Sequence, residues 1–370
     1  MARINRKKQR RNLMILGIGF LVFLGTCIGI VSGVKSLFRE PEKEPEKVQE
    51  EPKITKADYQ KYAVDESGNI PVMMYHGIHD LKNSETEYTG GNVDADGYQR
   101  TAEAFREDLD FYYENGYRMI RLEDYIHGQI DVELGKTPIV LTFDDGLENN
   151  IRVLGKDKKG NLKIDPNSAV GILEEYKEKY PDFNVTATFF VNGGLFNQPE
   201  YNEDILKWLV KHGYDVGNHT YSHVDFTTTD GVTAQSEVGS VYAMLEEIIP
   251  DQYVHIVALP FGSPYTFDHP MIPYIQEGTY EDGSYKTEAM LQVAWEADYS
   301  PYNNQFNPAF IKRIRAYDNN GENFDIQMNF DALETNRYRS DGDPDTIVIP
   351  EEKEEVLGNT YEKKVITYSV

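Results

Sequence analysis

Two adjacent carboxylates follow a run of residues that is typical of a buried strand. Residues 138–143 read PIVLTF, and Asp144, Asp145 and Gly146 come directly after them. In parallel α/β folds, ligands bind at the carboxyl ends of the strands, where such side chains face a common site. Asp-Asp-Gly is also a frequent turn composition, so this fragment alone leaves both interpretations open.

A pair of histidines, His219 and His223, stands four residues apart in the sequence HTYSH. In a helical turn the two imidazoles would share one face and could bind one metal ion. As ordinary surface residues they would bind no ion. Two histidines and one aspartate make a three-ligand site with open positions for water, which is the arrangement of hydrolytic metal sites. The remaining aspartate is then free to act as a base.

Three stretches together resemble the polysaccharide deacetylase (NodB-homology) family: TFDDG at 142–146, ATFFV at 187–191 and HTYSH at 219–223, in the family's order. The resemblance covers roughly residues 70–320. It implies a distorted (β/α)7 barrel and metal-dependent hydrolysis of N-acetyl groups. Carried over residue by residue, it makes Asp144 the catalytic base and Asp145, His219 and His223 the metal ligands.

The resemblance also implies a cofactor and a substrate. Zn²⁺ is the expected ion, and a ligand set of this softness would also accept Co²⁺, Ni²⁺ or Mn²⁺. The expected partner is an N-acetylated polysaccharide such as poly-N-acetylglucosamine, peptidoglycan or a chitin-like polymer. A polysaccharide O-acetyl esterase acting on xylan-like polymers and a non-catalytic wall-binding relative stay open as alternatives.

The third motif of the family departs from its usual form. It is an Arg-x-Pro-Tyr-Gly type stretch that here reads ALPFG at 258–262, so the arginine that pairs with the base is replaced by Ala258. Arg313 is the preferred substitute because it lies in a stretch similar to the family's Ile-Pro-Arg-Ile, and Arg315 is the second candidate. The substitution is the feature that favours the non-catalytic alternative.

Further site residues follow from the same resemblance. The residues expected to contact the substrate and its developing oxyanion are Pro260, Phe261 and Gly262, with the Phe261 N–H as the oxyanion donor. Trp295 lies in a stretch similar to the family's Trp-x-x-Asp segment. It is expected either to line the pocket for the methyl group of the acetyl substituent or to pack in the core.

A proton donor for the leaving amine is expected at His76. The last of the eight histidines is His269, so the histidine that relatives supply near the barrel's end is absent. Residues 69–76, NIPVMMYH, resemble the opening of poly-N-acetylglucosamine deacetylases whose barrel order is circularly permuted. In a closed barrel the first and last strands are neighbours, so His76 would occupy the same place in space. His79 is the nearest rival.

The elements that must position these residues alternate from about residue 69 onward. The strand-like runs are Ile70–Tyr75, Arg118–Leu122, Pro138–Phe143, Val185–Val191, Tyr253–Pro260 and Leu291–Trp295. Amphipathic, helix-like stretches occupy 102–115, 167–180, 203–212 and 234–248. The alternation predicts βα units around a parallel sheet, open or closed. Residues 155–166 are typical of an exposed insertion, and residues 364–370 of a strand in an acidic tail.

Composition separates the N-terminal part from the rest of the 370-residue chain. Residues 1–60 hold 12 of the 37 Lys and Arg but only 7 of the 62 Asp and Glu, and the whole chain carries a formal charge of −25. So acidic a chain argues against nucleic acid as a partner, since duplex binding needs cations on the phosphates. The single cysteine, Cys27, excludes an intramolecular disulfide. The sequence leaves the oligomeric state undecided.

The chain begins with the pattern of a membrane anchor. Leu13 to Val34 is a run of 22 residues without a charged side chain, long enough as a helix to cross the hydrocarbon core. Six basic residues precede it, which predicts a cytoplasmic N-terminus. The predicted order is a basic segment at 1–12, a transmembrane helix at 13–34, a Glu/Pro/Lys-rich extracellular linker at 35–62, the deacetylase domain at 63–338 and a tail at 339–370. A cleaved signal peptide, a lipoprotein box at 24–27 and a buried helix are the competing interpretations.

This topology makes a direct prediction. A protease added to intact cells should release an acidic fragment that begins within residues 39–60, because an extended, proline-rich linker is readily cleaved. N-terminal sequencing of the released fragment is the measurement. A soluble mature protein that lacks residues 1–34 would support the signal peptide instead.

Overall fold

The apolar runs of the sequence form strands of one parallel sheet in a computed structural model, which describes residues 54–281 and 283–370. The strands of this part of the chain are β1 Asn69–Ile70, β2 Val72–Tyr75, β3 Ile78–His79, β4 Arg100–Thr101, β5 Tyr117–Met119, β6 Thr137–Phe143, β7 Val153–Lys156, β8 Leu162–Ile164, β9 Thr188–Val191, β10 Asp215–Asn218, β11 Ile256–Ala258, β12 Glu277–Tyr280, β13 Gly283–Lys286, β14 Ala289–Leu291, β15 Asp298–Tyr299, β16 Ile314–Arg315, β17 Thr346–Pro350 and β18 Lys364–Tyr368. Its α-helices are α1 Lys56–Tyr62, α2 Ala102–Glu114, α3 Leu122–Ile126, α4 Ala169–Lys179, α5 Asn202–Lys211, α6 Gly231–Ile248, α7 Ile272–Gln276 and α8 Ile326–Leu333.

Eight strands make the central sheet. Seven follow the order β14-β11-β10-β9-β6-β2-β16, β5 pairs with β6 at a branch, and every pair is parallel. The first strand of the sheet in the sequence, β2, therefore lies between β6 and the last strand, β16. At the other end, a bridge between Leu291 and Ile311 joins β14 to the chain just before β16. The sheet is a parallel half-barrel whose two ends reach the same segment.

Alternate residues of each strand face two different cores. In β6, Leu141 packs in the core that also contains α2, α4 and α5, whereas Val140 packs in the core on the opposite face. Both faces are covered, which is why all seven residues of β6 are buried and why its sequence is a continuous apolar run. Because the side-chain period of a strand is two, Thr142 and Asp144 continue the face of Val140.

The connecting helices begin where the sequence supplies caps. The hydroxyl of Thr101 accepts from the N–H of Ala104 at the start of α2, and the carboxylate of Asp230 accepts from the N–H of Thr233 at the start of α6. Residues 155–166, predicted to be an exposed insertion, contribute to the β7–β8 hairpin. Such short connections return the chain to the sheet so that successive strand ends meet at one edge.

Three boundaries differ from the sequence prediction. The run predicted as a strand at 291–295 contributes only Leu291 to β14, because the chain leaves the sheet there. The predicted linker at 35–62 includes α1, whose Tyr59 ring lies 5.9 Å from the ring of Tyr368 in β18. Residues 54–370 form one compact unit that includes the predicted tail.

The predicted transmembrane helix at 13–34 lies outside the described residues. Within residues 54–281 and 283–370, no helix combines the length and the apolar character needed to cross a bilayer.

Candidate active site

The carboxyl ends of neighbouring strands bring the chemically active side chains together. Tyr75 at the end of β2 is in register with Phe143 at the end of β6, and the N–H of Asp144 donates to the Tyr75 carbonyl over 2.9 Å. His76 and Asp144 therefore follow paired residues. His219 follows the end of β10, two strands further along the sheet. The common edge gathers residues that are far apart in the sequence.

Asp144 is held by a bidentate pair with Arg313, and both side chains are buried, with exposed fractions of 1% and 0%. Nη1 of Arg313 donates to Oδ1 over 2.8 Å and Nη2 donates to Oδ2 over 2.7 Å. Burial raises the pKa of Asp144, but the guanidinium and the imidazole of His219 outweigh it, so the pKa of this carboxyl is held well below its usual range. Asp144 is thus a fixed, ionised acceptor.

The structure brings Arg313 to the place that the motif with Ala258 leaves without a cation. Its Nε donates to the Gln292 carbonyl over 2.8 Å, and Nη1 also donates to Oγ1 of Thr142 over 3.1 Å. Ala258 has a different contact, since its carbonyl oxygen lies 2.8 Å from Nδ1 of His219. Arg315, the other candidate, makes no contact with Asp144.

Asp145, His219 and His223 form a cluster whose ligand atoms all lie within 4.8 Å of one another. Oδ1 of Asp145 is 3.2 Å from Nε2 of His219 and 3.4 Å from Nε2 of His223. Nδ1 of His219 donates to the Ala258 carbonyl, so the lone pair is on Nε2, which is buried and has no hydrogen-bond partner within the described chain. A buried imidazole lone pair beside a carboxylate fits a divalent cation.

The electrostatics of this cluster also suit a cation. Burial lowers the pKa of His219, but the carboxylates of Asp144 and Asp145 outweigh it and raise this pKa above its usual value. For Asp145, burial raises the pKa, and the neighbouring imidazoles lower it below the usual value. The Asp145 carboxylate is therefore ionised beside the imidazoles, and a metal ion between the ligand atoms would neutralise its charge.

His219–His223 do not form the helical turn that their four-residue spacing would allow. These residues form a loop after β10, in which Thr220 and His223 have φ angles of 60° and 57°. Asp145 and Phe261 also have positive φ, at 73° and 58°. Left-handed backbone at non-glycine residues is uncommon, and it turns each side chain or N–H back toward the strand ends. The two imidazoles converge because of the loop, not because of helical spacing.

His76 lies next to this cluster. Asn150 donates to its carbonyl over 2.7 Å, the ring packs edge-to-face on Tyr98 at 5.0 Å, and Nδ1 is buried without a partner in the described residues. Burial lowers the pKa of His76, partly opposed by the Asp144 and Asp145 carboxylates. Its rival, His79, points elsewhere and pairs with Gln99 over 3.1 Å.

The remaining predicted residues divide into two groups. Pro260 and Gly262 are buried, and the exposed ring of Phe261 stands 4.5 Å from the ring of His223, which places this turn against the cluster. Trp295 is 58% exposed and lies 6.2 Å from the ring of Phe324, so it does not pack in the core. No contact between Trp295 and the Asp–His cluster is seen in the described chain.

Three groups of the site escaped the sequence analysis: the Thr142 hydroxyl, the Gln292 carbonyl and the Tyr98 ring. Thr142 could have been found, because it stands two residues before Asp144 and so faces the same side of β6. The other two come from loops whose approach to the site depends on tertiary packing.

We predict that Arg313→Met destabilises the protein by about 3–5 kcal/mol, because Asp144 becomes a buried charge without a partner. Urea unfolding measures the change. Arg106→Met, which breaks a pair with the half-exposed Glu175, is the matched control and should cost about 1 kcal/mol or less. An Arg313→Met protein as stable as this control would contradict the assignment.

We predict one bound divalent ion per chain, lost in His219→Ala because two ligands hold the ion poorly. Elemental analysis after dialysis is the measurement. His127→Ala, which removes a half-buried histidine paired with Glu288, should keep the ion. Stoichiometric metal in His219→Ala would show that the ligand set is misassigned.

Comparisons with known proteins agree with the site's sequence pattern. Residues 131–277 match the family model for polysaccharide deacetylase. Over 127 residues the chain is 32% identical to an uncharacterised 30.6 kDa protein in the fumA 3′ region of Geobacillus stearothermophilus; the match spans 34% of this chain and 39% of that relative. It is 20% identical over 255 residues to a Bacillus subtilis protein named "Putative polysaccharide deacetylase YxkH", covering 65% of this chain and 77% of that protein.

Among solved structures, the deacetylase PplD of Streptococcus pyogenes in complex with acetate is similar at 17% identity and a TM-score of 0.48, covering 68% of this chain and 93% of that one. The match to the family model spans β6, β9, β10 and β11, and with them Asp144, Asp145, His219 and His223. Residues 131–277 of this chain therefore match a polysaccharide deacetylase domain.

Proposed function

We propose that this protein is a metal-dependent deacetylase that hydrolyses N-acetyl groups of a cell-surface or wall polysaccharide. The observation that carries the proposal is the buried Asp144–Arg313 pair directly beside the Asp145, His219 and His223 cluster. One ionised acceptor and one metal-ligand set at the same sheet edge are what hydrolysis by an activated water needs. Family membership over residues 131–277 supports the same reaction.

A divalent ion held by Asp145, His219 and His223, for which Zn²⁺ is our proposal, would supply Lewis acidity to the attacking water and to the acetyl carbonyl. The Asp144 carboxylate orients that water and takes its proton as the C–O bond forms. The low pKa of Asp144 keeps this carboxyl ionised at neutral pH, so it is available to accept the proton. Arg313 keeps both oxygens aligned during the transfer.

Phe261 and His76 are proposed to stabilise the oxyanion and to protonate the leaving amine. The N–H of Phe261 makes no hydrogen bond with other described residues and supports the proposed role of donor to the oxyanion that develops on the carbonyl. His76 is proposed to give its proton to the sugar nitrogen as the C–N bond breaks. The products are acetate and a free amine. Burial lowers the pKa of His76, which makes its protonated form a stronger acid toward the leaving amine than an exposed imidazolium.

Two alternative functions were left open by the sequence, a non-catalytic wall-binding relative and an O-acetyl esterase. A non-catalytic relative was suggested by Ala258, and that reason loses weight because Arg313 supplies the missing guanidinium. An O-acetyl esterase would use the same residues, and only its substrate differs. The finer fold, a (β/α)7 barrel, is part of the proposal and is supported by the bridge between Leu291 and Ile311. Membrane anchorage through residues 13–34, with the catalytic domain outside the cell, is proposed from the sequence alone.

The function is tested by acetate release from poly-N-acetylglucosamine, peptidoglycan and acetylated xylan. We expect release from an N-acetylated glycan and a loss of about 10²–10⁴-fold in Asp144→Asn, which retains its metal but has no carboxylate to take the proton. Metal content measured on the same sample separates the two effects. Asp144→Asn activity within about tenfold of the parent would remove Asp144 as the base. Release from xylan alone would favour the esterase.

We predict that His76→Ala binds metal normally and loses most of its kcat on N-acetylated glycans. The loss should be smaller on acetanilide-type substrates, whose better leaving group needs less protonation. The alkaline limb of the kcat profile should disappear with the imidazole. His79→Ala is the matched control and should retain parental rates. A His76→Ala enzyme with near-parental kcat would assign the proton donor elsewhere.

A further inference from the structure

A second arginine faces the same side of the sheet as Arg313. Arg315 is the last residue of β16 and comes two residues after Arg313, which directly precedes the strand. The alternation of side chains therefore places both arginines on the same face, whereas Ile314 between them packs in the opposite core. Arg315 is in register with Met74 of β2, two residues before His76. It therefore stands one step nearer to the strand ends than Arg313, toward the rim of the proposed active site.

Two tyrosine rings fix the guanidinium of Arg315. Its Cζ lies 4.0 Å from the ring centroid of Tyr317 and 5.0 Å from that of Tyr98. The ring of Tyr98 is in turn 5.0 Å from the ring of His76, so a single aromatic ring separates Arg315 from the proposed proton donor. Cation–π contacts of this kind restrict a guanidinium without using its N–H groups.

The donors of Arg315 have no partner in the described chain. Its side chain makes no hydrogen bond and no ion pair with residues 54–281 or 283–370, and it is half-buried rather than surrounded by water. Other inward arginines of the same domain are paired, Arg100 with Asp108 and Arg313 with Asp144. In a chain with 62 acidic residues, an oriented guanidinium without a carboxylate is an exception.

We propose that Arg315 binds an anionic group of the substrate, a carboxylate or a phosphate carried by the glycan beside the N-acetyl group that is hydrolysed. This inference rests on the proposed function. A guanidinium restricted by two aromatic rings keeps its N–H donors for a ligand, and the planar fork of these donors matches carboxylate and phosphate oxygens in pairs. The acidic domain otherwise repels an anionic polymer, so a local cation at the rim gives such a polymer its favourable contact. The substrate class is therefore an anionic, N-acetylated polysaccharide.

The test compares three probes: a neutral tetramer of N-acetylglucosamine, a peptide-free tetrasaccharide with alternating N-acetylmuramic acid, and an N-acetylglucosamine oligomer bearing glycerol phosphate. Binding is measured by calorimetry on the metal-free protein, in which turnover does not interfere. We expect one anionic probe to bind about tenfold more tightly than the neutral one at low salt, because a charge-assisted pair is a strong hydrogen bond. The preference should shrink at high salt. The probe that shows it identifies carboxylate or phosphate as the group.

Three variants locate the effect. Arg315→Gln should bring the affinities for neutral and anionic probes to within about twofold of each other, because the charged donor is gone. Arg315→Lys keeps the charge without the planar fork and should retain part of the preference. Arg106→Gln removes the same charge from the outer face of α2 and should leave the preference intact. If Arg315→Gln does not fold, the partial loss in Arg315→Lys decides the question.

Equal affinity of the parent for all three probes, or an undiminished preference in Arg315→Gln, would overturn the inference. Acetate release from the metal-loaded protein is measured separately on the same probes. Release without an Arg315-dependent preference would leave the proposed function standing and remove only this inference. Arg315-dependent binding without any acetate release would keep the anion-binding role of Arg315 and remove the proposed deacetylase function.

Discussion

The buried ion pair between Asp144 and Arg313 is the interaction on which the site depends. Removing two charges from water costs several kcal/mol each, and only close, bidentate geometry offsets the cost. Arg313 meets that condition with hydrogen bonds to both carboxylate oxygens and two further bonds to Thr142 and Gln292. The pair therefore fixes β16 against β6 through the intervening strand β2. Any rearrangement of these strands would leave a charge without its partner.

The parallel sheet places the other groups around that pair. Parallel strands end at one edge, and a side-chain period of two directs every second residue to the same face. Asp144 continues the face of Thr142 in β6, and His76 continues the face of Met74 in β2. Loops with left-handed residues then bring Asp145 and His223 back over this edge. The left-handed residues of these loops lie where the proposed metal ligands and the proposed oxyanion donor meet, as is common at functional sites.

Arg313, which directly precedes β16, and Arg315, which ends it, differ in their environments. Arg313 is fully buried and paired, and together with His219 its charge holds the pKa of Asp144 below the usual range. Arg315, one step nearer to the rim, is held by tyrosine faces and keeps its donors unused within the described residues. Burial and partners differ over two residues, and with them the proposed role changes from orienting the base to binding an anionic group of the substrate.

The sequence by itself determined the chemistry-bearing residues and most of the elements that carry them. TFDDG, ATFFV and HTYSH identified the family, and alternation of apolar runs predicted the βα units, because local patterning follows the periods of strand and helix. The prediction that first and last strands are neighbours agrees with the pairing of β2 with β16. What it could not decide were contacts between distant segments. Two arginines were candidates for Asp144, with Arg313 preferred from the resemblance, and the hydrogen bonds of the folded chain show that Arg313 is the one that pairs with it.

The tertiary structure also decided geometry that spacing had suggested wrongly. His219 and His223 are four residues apart, which fits a helical turn, but the chain after β10 uses positive φ at Thr220 and His223 instead. Local sequence does not reveal left-handed residues of this kind, because packing around the strand ends stabilises them. The conformational free energy that they cost is offset by other contacts of the fold. The same holds for Tyr98 beside His76, which a loop after β3 brings across the sheet edge. Residue types came from the sequence, and their convergence came from the fold.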